Sequence, residues 1–174
     1  MATRSEQNIV VTGFMGTGKT TVGQYLAKRL ERPFIDTDAE IERRAGRSIA
    51  DIFTRDGEAV FRRSEARLCR FYAGQRRLVI ATGGGMLADP RNRAVMLASG
   101  FVVCLDASPD TIRERLAGET GRPLFSGDWE ALLAARQPAY AEIPFHVNTD
   151  GQPPEAVAEE VLALWKQWTI VESA

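Results

Sequence analysis

Gly13-Phe14-Met15-Gly16-Thr17-Gly18-Lys19-Thr20 spells G-x-x-x-x-G-K-T, set between an apolar β-type run, Ile9-Val10-Val11, and a helical pattern over Thr21–Leu30. No other feature constrains the fold as much: a buried strand must deliver the chain into a tight loop, and a helix must start directly after it. Glycines let consecutive N–H groups turn inward around a phosphate, and the new helix adds the partial positive charge of its N-terminus. Lys19 reaches the outer phosphates, and the Thr20 hydroxyl can ligate Mg²⁺. The segment therefore predicts nucleoside triphosphate binding. A glycine-rich turn that happens to precede a helix is the competing reading, and the strand–loop–helix context argues against it.

The same alternation continues along the chain. β-rich apolar runs recur at Ile9–Val11, Pro33–Ile35, Leu78–Ala81, Phe101–Leu105 and Phe145–Val147, with helix-like segments between most of them. This predicts an α/β fold with a parallel sheet and helices on both faces. A length of 174 residues suits one domain, 1–174, burying about 70% of its unfolded surface. A net charge of −1 gives no ground for nucleic acid or an anionic membrane as partner. No apolar run approaches the roughly 18 residues of a membrane span, and Met1–Asn8 is polar, so a cytoplasmic protein is expected. Cys69 and Cys104 are too few and too far apart for a metal pattern and read as small buried hydrophobes. Two stretches exceed a plain crossover: about 37–74, expected to handle a substrate, and the glycine-rich 117–128, expected to be a lid. Val157, Val161, Leu164, Trp165 and Trp168 fall at helical spacing, so these tryptophans are expected to pack on the sheet.

Phosphoryl transfer needs a metal near the phosphates, positive charge on the transferring group and a positioned acceptor. The third strand ends in Thr82-Gly83 rather than an aspartate, so the metal's carboxylate is sought in Asp36-Thr37-Asp38 after the second strand. In an extended segment, residues two apart share a face, which would point both carboxylates at the nucleotide edge. Asp36, nearer the strand, is assigned with Thr20 to Mg²⁺, and Asp38 to the acceptor hydroxyl. A helix N-cap at Asp38 is the plainer alternative. Arg62 and Glu65 are three apart on an amphipathic helix running to about Tyr72, so Glu65 could orient the guanidinium; a surface ion pair is the ordinary explanation. Gly83-Gly84-Gly85 after a buried strand lets a small ligand approach the backbone. His146, the single histidine, is expected to be structural and remote from this constellation.

Taken together, G-F-M-G-T-G-K-T-T, D-T-D, G-R-S-I-A-D-I-F, F-R-R-S-E, T-G-G-G and R-P-L, in this order and at these intervals, resemble shikimate kinases over roughly residues 8 to 165. The resemblance implies a three-layer α/β/α P-loop kinase fold like that of nucleoside monophosphate kinases, with a central five-stranded parallel sheet, a substrate-binding insertion after strand 2 and a short lid. It implies ATP as co-substrate with Mg²⁺, and shikimate, phosphorylated on its 3-hydroxyl, as the small-molecule partner of a monomer. Lys19, Asp38 and Arg122 would then be the catalytic residues, Asp38 as base and Arg122 closing over the phosphates from the lid. Gly16, Thr17, Gly18, Lys19, Thr20 and Thr21 would hold the nucleotide, with Arg115 stacking on adenine and Gln152 in the adenine-side loop. Arg62 and Arg136 would pair with the shikimate carboxylate, Asp38, Gly84 and Gly85 would meet its hydroxyls, and Ile49, Phe53 and Phe61 would form an apolar wall. Phe125 in the lid and Ala141-Glu142-Ile143-Pro144 after Tyr140 depart from the family's frequent pattern at positions that bear on the nucleotide. A kinase of another small hydroxylated carboxylate such as gluconate, or a non-catalytic nucleotide-binding relative, stays open at this point. The silent relative is weakened by the joint presence of Lys19, Asp36, Asp38, Arg62, Arg122 and Arg136.

Overall fold

The computed structural model describes residues 3–117 and 127–170. Five strands, β1 (Asn8–Gly13), β2 (Phe34–Asp36), β3 (Val79–Ala81), β4 (Gly100–Asp106) and β5 (Phe145–Asn148), form one parallel sheet in the order β2-β3-β1-β4-β5. The helices between them are α1 (Lys19–Leu30), α2 (Thr37–Ala45), α3 (Ile49–Asp56), α4 (Glu58–Ala73), α5 (Pro90–Ser99), α6 (Pro109–Leu116), α7 (Trp129–Ala141) and α8 (Pro154–Ile170). Each expected strand is present, and its bounds move by one or two residues.

Alternation on the strands divides the interior into two layers. Val10, Ile80, Val102 and Cys104 face one side with Leu68 and Cys69 of α4, Met96 of α5, Ile112 of α6 and Leu133 of α7. Ile9, Val11, Val79, Phe101 and Val103 face the other, where Val22 and Leu26 of α1 meet Val157 and Val161 of α8. The sheet is buried on both faces, which is why its strands read as continuous apolar runs rather than alternating ones. Trp165 and Trp168 pack on the second layer, the latter with its ring 5.7 Å from Phe101. Both cysteines are free thiols in the core, and burial pushes the Cys69 thiol up to about 12. Among the described residues no helix is long and apolar enough to cross a membrane.

This topology fixes where a ligand can sit. The chain leaves β1 toward β2 on one side and later builds β4 on the other, so a crevice opens beyond the carboxyl end of β1. The phosphate loop lies at that crevice, and Gly16 and Gly18 have φ of +77° and +89°, values open to glycine without strain. The stretch after β2 folds as three successive helices, α2 to α4, across the same end of the sheet. Ser48 caps α3 through its hydroxyl on the Asp51 N–H, 3.1 Å away. Most of the expected lid, 118–126 with Arg122, lies outside the described residues.

Candidate active site

Thr20 lies in the first turn of α1 and its hydroxyl donates to Asp36 Oδ2 at 2.7 Å. The other Asp36 oxygen accepts from the N–H groups of Asp38 at 3.0 Å and Ala39 at 3.2 Å, making Asp36 the N-cap of α2. Two sequence expectations are corrected here. The D-T-D segment is not extended, because the chain turns helical at Thr37, and the cap belongs to Asp36 rather than Asp38. A side-chain acceptor at the end of a strand satisfies the next helix's orphan donors, so the helix starts two residues earlier than a cap at Asp38 would place it. Both carboxylates nevertheless line the same cavity, of about 410 Å³.

Across that cavity, Arg62 of α4 donates to Glu65 Oε2 at 2.8 Å through Nη1 and to Glu58 Oε1 at 3.0 Å through Nη2. The guanidinium is one-third exposed, whereas Glu65 is buried. Burial pushes the Glu65 carboxyl up to about 7, against the downward pull of Arg62. Arg63 is exposed on another face, as its position on the helix requires. Arg136 reaches the cavity from α7, buried, with its guanidinium 5.6 Å from the centre of the Phe14 ring.

The glycine triplet explains how these groups converge. A Cβ at Gly83 would collide with the Asp38 carboxylate, and one at Gly85 would collide with Arg62 and sit 3.0 Å from Arg136 Nη2. A Cβ at Gly84 would also stand 3.0 Å from Arg136, at Nη1. Three side chains thus close over bare backbone, which a single alanine would disturb. Ile49, Phe53 and Phe61 line the opposite part of the cavity, the two rings 4.9 Å apart.

Spacing alone did not reveal several supports. Glu58 is a second carboxylate on Arg62, visible in hindsight at i−4. The Thr37 hydroxyl accepts from the Gly83 N–H at 2.9 Å, and the Tyr140 hydroxyl donates to the Gly84 carbonyl at 2.7 Å. These last two cross the fold, so no local pattern carries them.

At the nucleotide rim, Lys19 Nζ donates to the Phe14 carbonyl at 2.7 Å, and Thr17 Oγ1 to the same oxygen at 2.8 Å. Thr21 is exposed in the first turn of α1. Arg115 joins the loop to the β5 side, donating to Gly16 O at 3.1 Å and to Thr149 O at 2.9 Å. Gln152 donates its amide to Asn148 O at 2.7 Å, bracing the turn after β5. His146 lies between Asp106 Oδ2 at 2.7 Å and the Ile143 carbonyl at 2.9 Å. It is not remote from the phosphate loop, however: with Thr17 it borders a second cavity. Thr20 and Asp36 offer adjacent hard oxygens beside the loop, a donor set that fits Mg²⁺.

A glycine-rich loop at a helix N-terminus on one rim and a cationic, carboxylate-flanked cavity on the other define a P-loop kinase acting on a small anionic acceptor. Residues 15–166 match the shikimate kinase family model. The chain is 43% identical to the shikimate kinase of Pelotomaculum thermopropionicum, covering 95% of this chain and 99% of that one. It is 47% identical to the shikimate kinase of Desulforudis audaxviator, covering 82% of this chain and 78% of that one. Its fold superposes on a solved structure of the Acinetobacter baumannii shikimate kinase in complex with shikimate with a TM-score of 0.88, at 35% identity and covering 92% and 93% of the two chains. The chain belongs to the shikimate kinase family and is an ATP-dependent small-molecule kinase.

Proposed function

We propose that the protein transfers the γ-phosphoryl group of ATP to the 3-hydroxyl of shikimate, a step of aromatic amino-acid biosynthesis, leaving ADP and shikimate 3-phosphate. The observation that carries this reading is the convergence of Arg62 and Arg136 over Gly85, with the Asp38 carboxylate against Gly83 on the same rim. A carboxylate-bearing ring bridging that span meets cations at one end and a proton acceptor at the other.

In this reading Arg62 and Arg136 bind the acceptor's carboxylate, and Gly84 and Gly85 leave room for its ring hydroxyls. Asp38 orients the reacting hydroxyl and takes its proton. A carboxylate with an ordinary pKa near 3.9 is a weak base toward an alcohol, but a loose phosphoryl-transfer transition state asks mainly for orientation and a late proton acceptor. Lys19 draws on the outer phosphates, and the N–H groups of Gly16 to Thr21 cradle them. Arg115 and Gln152 flank the adenine, and Arg122 supplies positive charge to the transferring group from the lid. Thr20 and Asp36 hold Mg²⁺, which when bound neutralises charge developing on the phosphates. In this reading the working unit is a monomer in the cytoplasm.

Incubation with ATP, Mg²⁺ and shikimate is expected to release ADP, and a parallel panel including gluconate is expected to give no comparable rate. No ADP release with shikimate would overturn the proposal. Arg62→Ala is expected to weaken shikimate binding by about 2–5 kcal/mol, since a desolvated charge pair is lost. A loss below about 1 kcal/mol would make Arg62 a surface pair of no consequence.

A further inference from the structure

Cys104 and Asp106 lie two apart on β4 and so project to one face, and the strand pairing sets His146 of β5 directly opposite Cys104. One donor atom from each of these residues falls within 4.8 Å of the others. Cys104 is fully buried, whereas the His146 and Asp106 side chains are about two-fifths exposed at 36% and 41%. The group stands outside the cavity assigned to phosphoryl transfer, beside the second cavity of about 390 Å³.

The hydrogen bonds define the state of the ring. The Ile143 carbonyl can only accept, so His146 Nε2 carries a proton and donates it there at 2.9 Å. Nδ1 then faces Asp106 Oδ2 at 2.7 Å. At that distance the two atoms share a hydrogen bond, and a metal ion enters only if the pair opens. A backbone carbonyl on the far nitrogen is also the arrangement that fixes a metal-ligating imidazole. The thiol brings a third ligand atom to the same place, its S–H donating to the other Asp106 oxygen. Cys104 Sγ lies 3.6 Å from Asp106 Oδ1, which matches the roughly 3.6 Å between sulfur and oxygen on a tetrahedral zinc. His146 meets the other oxygen, Oδ2, so for one oxygen to serve both ligands the carboxylate must turn and the nitrogen-to-oxygen distance must open from 2.7 Å toward about 3.4 Å, a rotation of two half-exposed side chains.

We propose that Cys104 Sγ, Asp106 carboxylate and His146 Nδ1 form a binding site for one divalent transition-metal ion of the zinc class, with water from the second cavity completing a tetrahedron. Thiolate and imidazole select a borderline-soft ion, and they reject Mg²⁺, which demands oxygen; the site is therefore chemically separate from the Thr20–Asp36 pair. Binding displaces the thiol proton to solvent, so affinity rises with pH. Occupancy would cross-link β4 to β5 beside the Asp106 carbonyl, which accepts from Thr149 N at 2.8 Å and thereby anchors the partner of Arg115.

The test is a titration of metal-free, reduced protein with Co²⁺, followed by absorption. The expected result is a thiolate-to-cobalt charge-transfer band with tetrahedral visible bands, abolished by Zn²⁺ and unaffected by excess Mg²⁺. Cys69→Ser keeps the band and Cys104→Ser loses it. His146→Ala and Asp106→Asn each lower affinity by about tenfold or more, and these half-exposed positions serve should Cys104→Ser fail to fold. Zn²⁺ is also expected to raise the melting temperature of the wild-type protein but not of His146→Ala. Absence of a thiolate band, its survival in Cys104→Ser, or equal affinity in His146→Ala would each overturn the site and leave a proton-bridged His146–Asp106 pair.

Discussion

Arg62 is gripped by two carboxylates of unequal character. Glu58 is exposed on the helix surface, while Glu65 is buried, accepts from Arg62 and has its carboxyl pushed up to about 7 by that burial. A carboxyl raised from its ordinary value of 4.5 holds its proton longer in the folded state, so its contribution to stability is full below about pH 4.5 and is lost as pH rises through about 7. The sign for binding follows from charge: an incoming carboxylate adds negative charge beside Arg62 and favours the neutral form of Glu65 still further. Shikimate binding near pH 7 is therefore expected to take up a fraction of a proton, and affinity should fall as pH rises from about 6 to 8. Calorimetry in buffers of different ionisation enthalpy reads this directly. Glu65→Gln, neutral and of the same shape, should remove the buffer dependence; an uptake unchanged in that variant, or none in the wild type, would show that Glu65 does not titrate with the ligand. The sequence revealed the Arg62–Glu65 pairing through its spacing, but not the burial that gives Glu65 this behaviour, since burial is decided by what α4 packs against.

Helix α1 and strand β2 must lie close for Thr20 to reach Asp36, and one residue permits it. Gly23 faces the Phe34 ring, and a Cβ there would stand 2.6 Å from Phe34 Cε2. Alanine in a helix interior normally gains about 1 kcal/mol over glycine, whereas forcing a side chain into a filled contact costs about 1–3 kcal/mol. The steric term should win, so Gly23→Ala is expected to lower stability by up to about 2 kcal/mol in urea unfolding and to loosen the Thr20–Asp36 pair. Phe34→Leu in the same chain should restore part of the loss. A Gly23→Ala protein more stable than wild type would show that the ring yields freely. At this scale much was legible: apolar runs gave all five strands, because a sheet buried on both faces leaves continuous hydrophobic stretches. The start of α2 was not, because Asp36 both ends a strand and caps a helix, and spacing cannot choose between an extended D-T-D and a capped one. Gly83 to Gly85 were legible as close-approach glycines; which side chains approach, Asp38, Arg62 and Arg136, depends on α2, α4 and α7 arriving together from distant parts of the chain.

The two interior layers are joined by the sheet itself, since Val10 belongs to one and its neighbours Ile9 and Val11 to the other. A strand shared in this way cannot release one layer while keeping its partner, which argues for a single cooperative unit. Asn8 strengthens the coupling at the amino end of β1. Fully buried, it donates to Tyr72 O at 3.1 Å and Gln75 O at 3.0 Å and accepts from Leu78 N at 3.0 Å, tying the end of α4 to the approach of β3. Asn8→Ala would leave the Gln75 carbonyl and the Leu78 N–H without this partner, at about 1–3 kcal/mol for each one left unsatisfied, while the Tyr72 carbonyl keeps the Gln75 N–H at 3.0 Å. A total near 3 kcal/mol corresponds to a fall in melting temperature of about 6–12 °C for a chain of this size. Trp129 packs on one layer and Trp165 and Trp168 on the other, so fluorescence can follow each layer in variants that keep Trp129 alone or lack it. Both signals are expected to change in one transition coincident with the loss of helix by circular dichroism, and Asn8→Ala should move both by the same amount. If Asn8→Ala lowered only the Trp129 transition, the layers would be separable units, and the shared strand would not be what binds the phosphate loop to the substrate cavity.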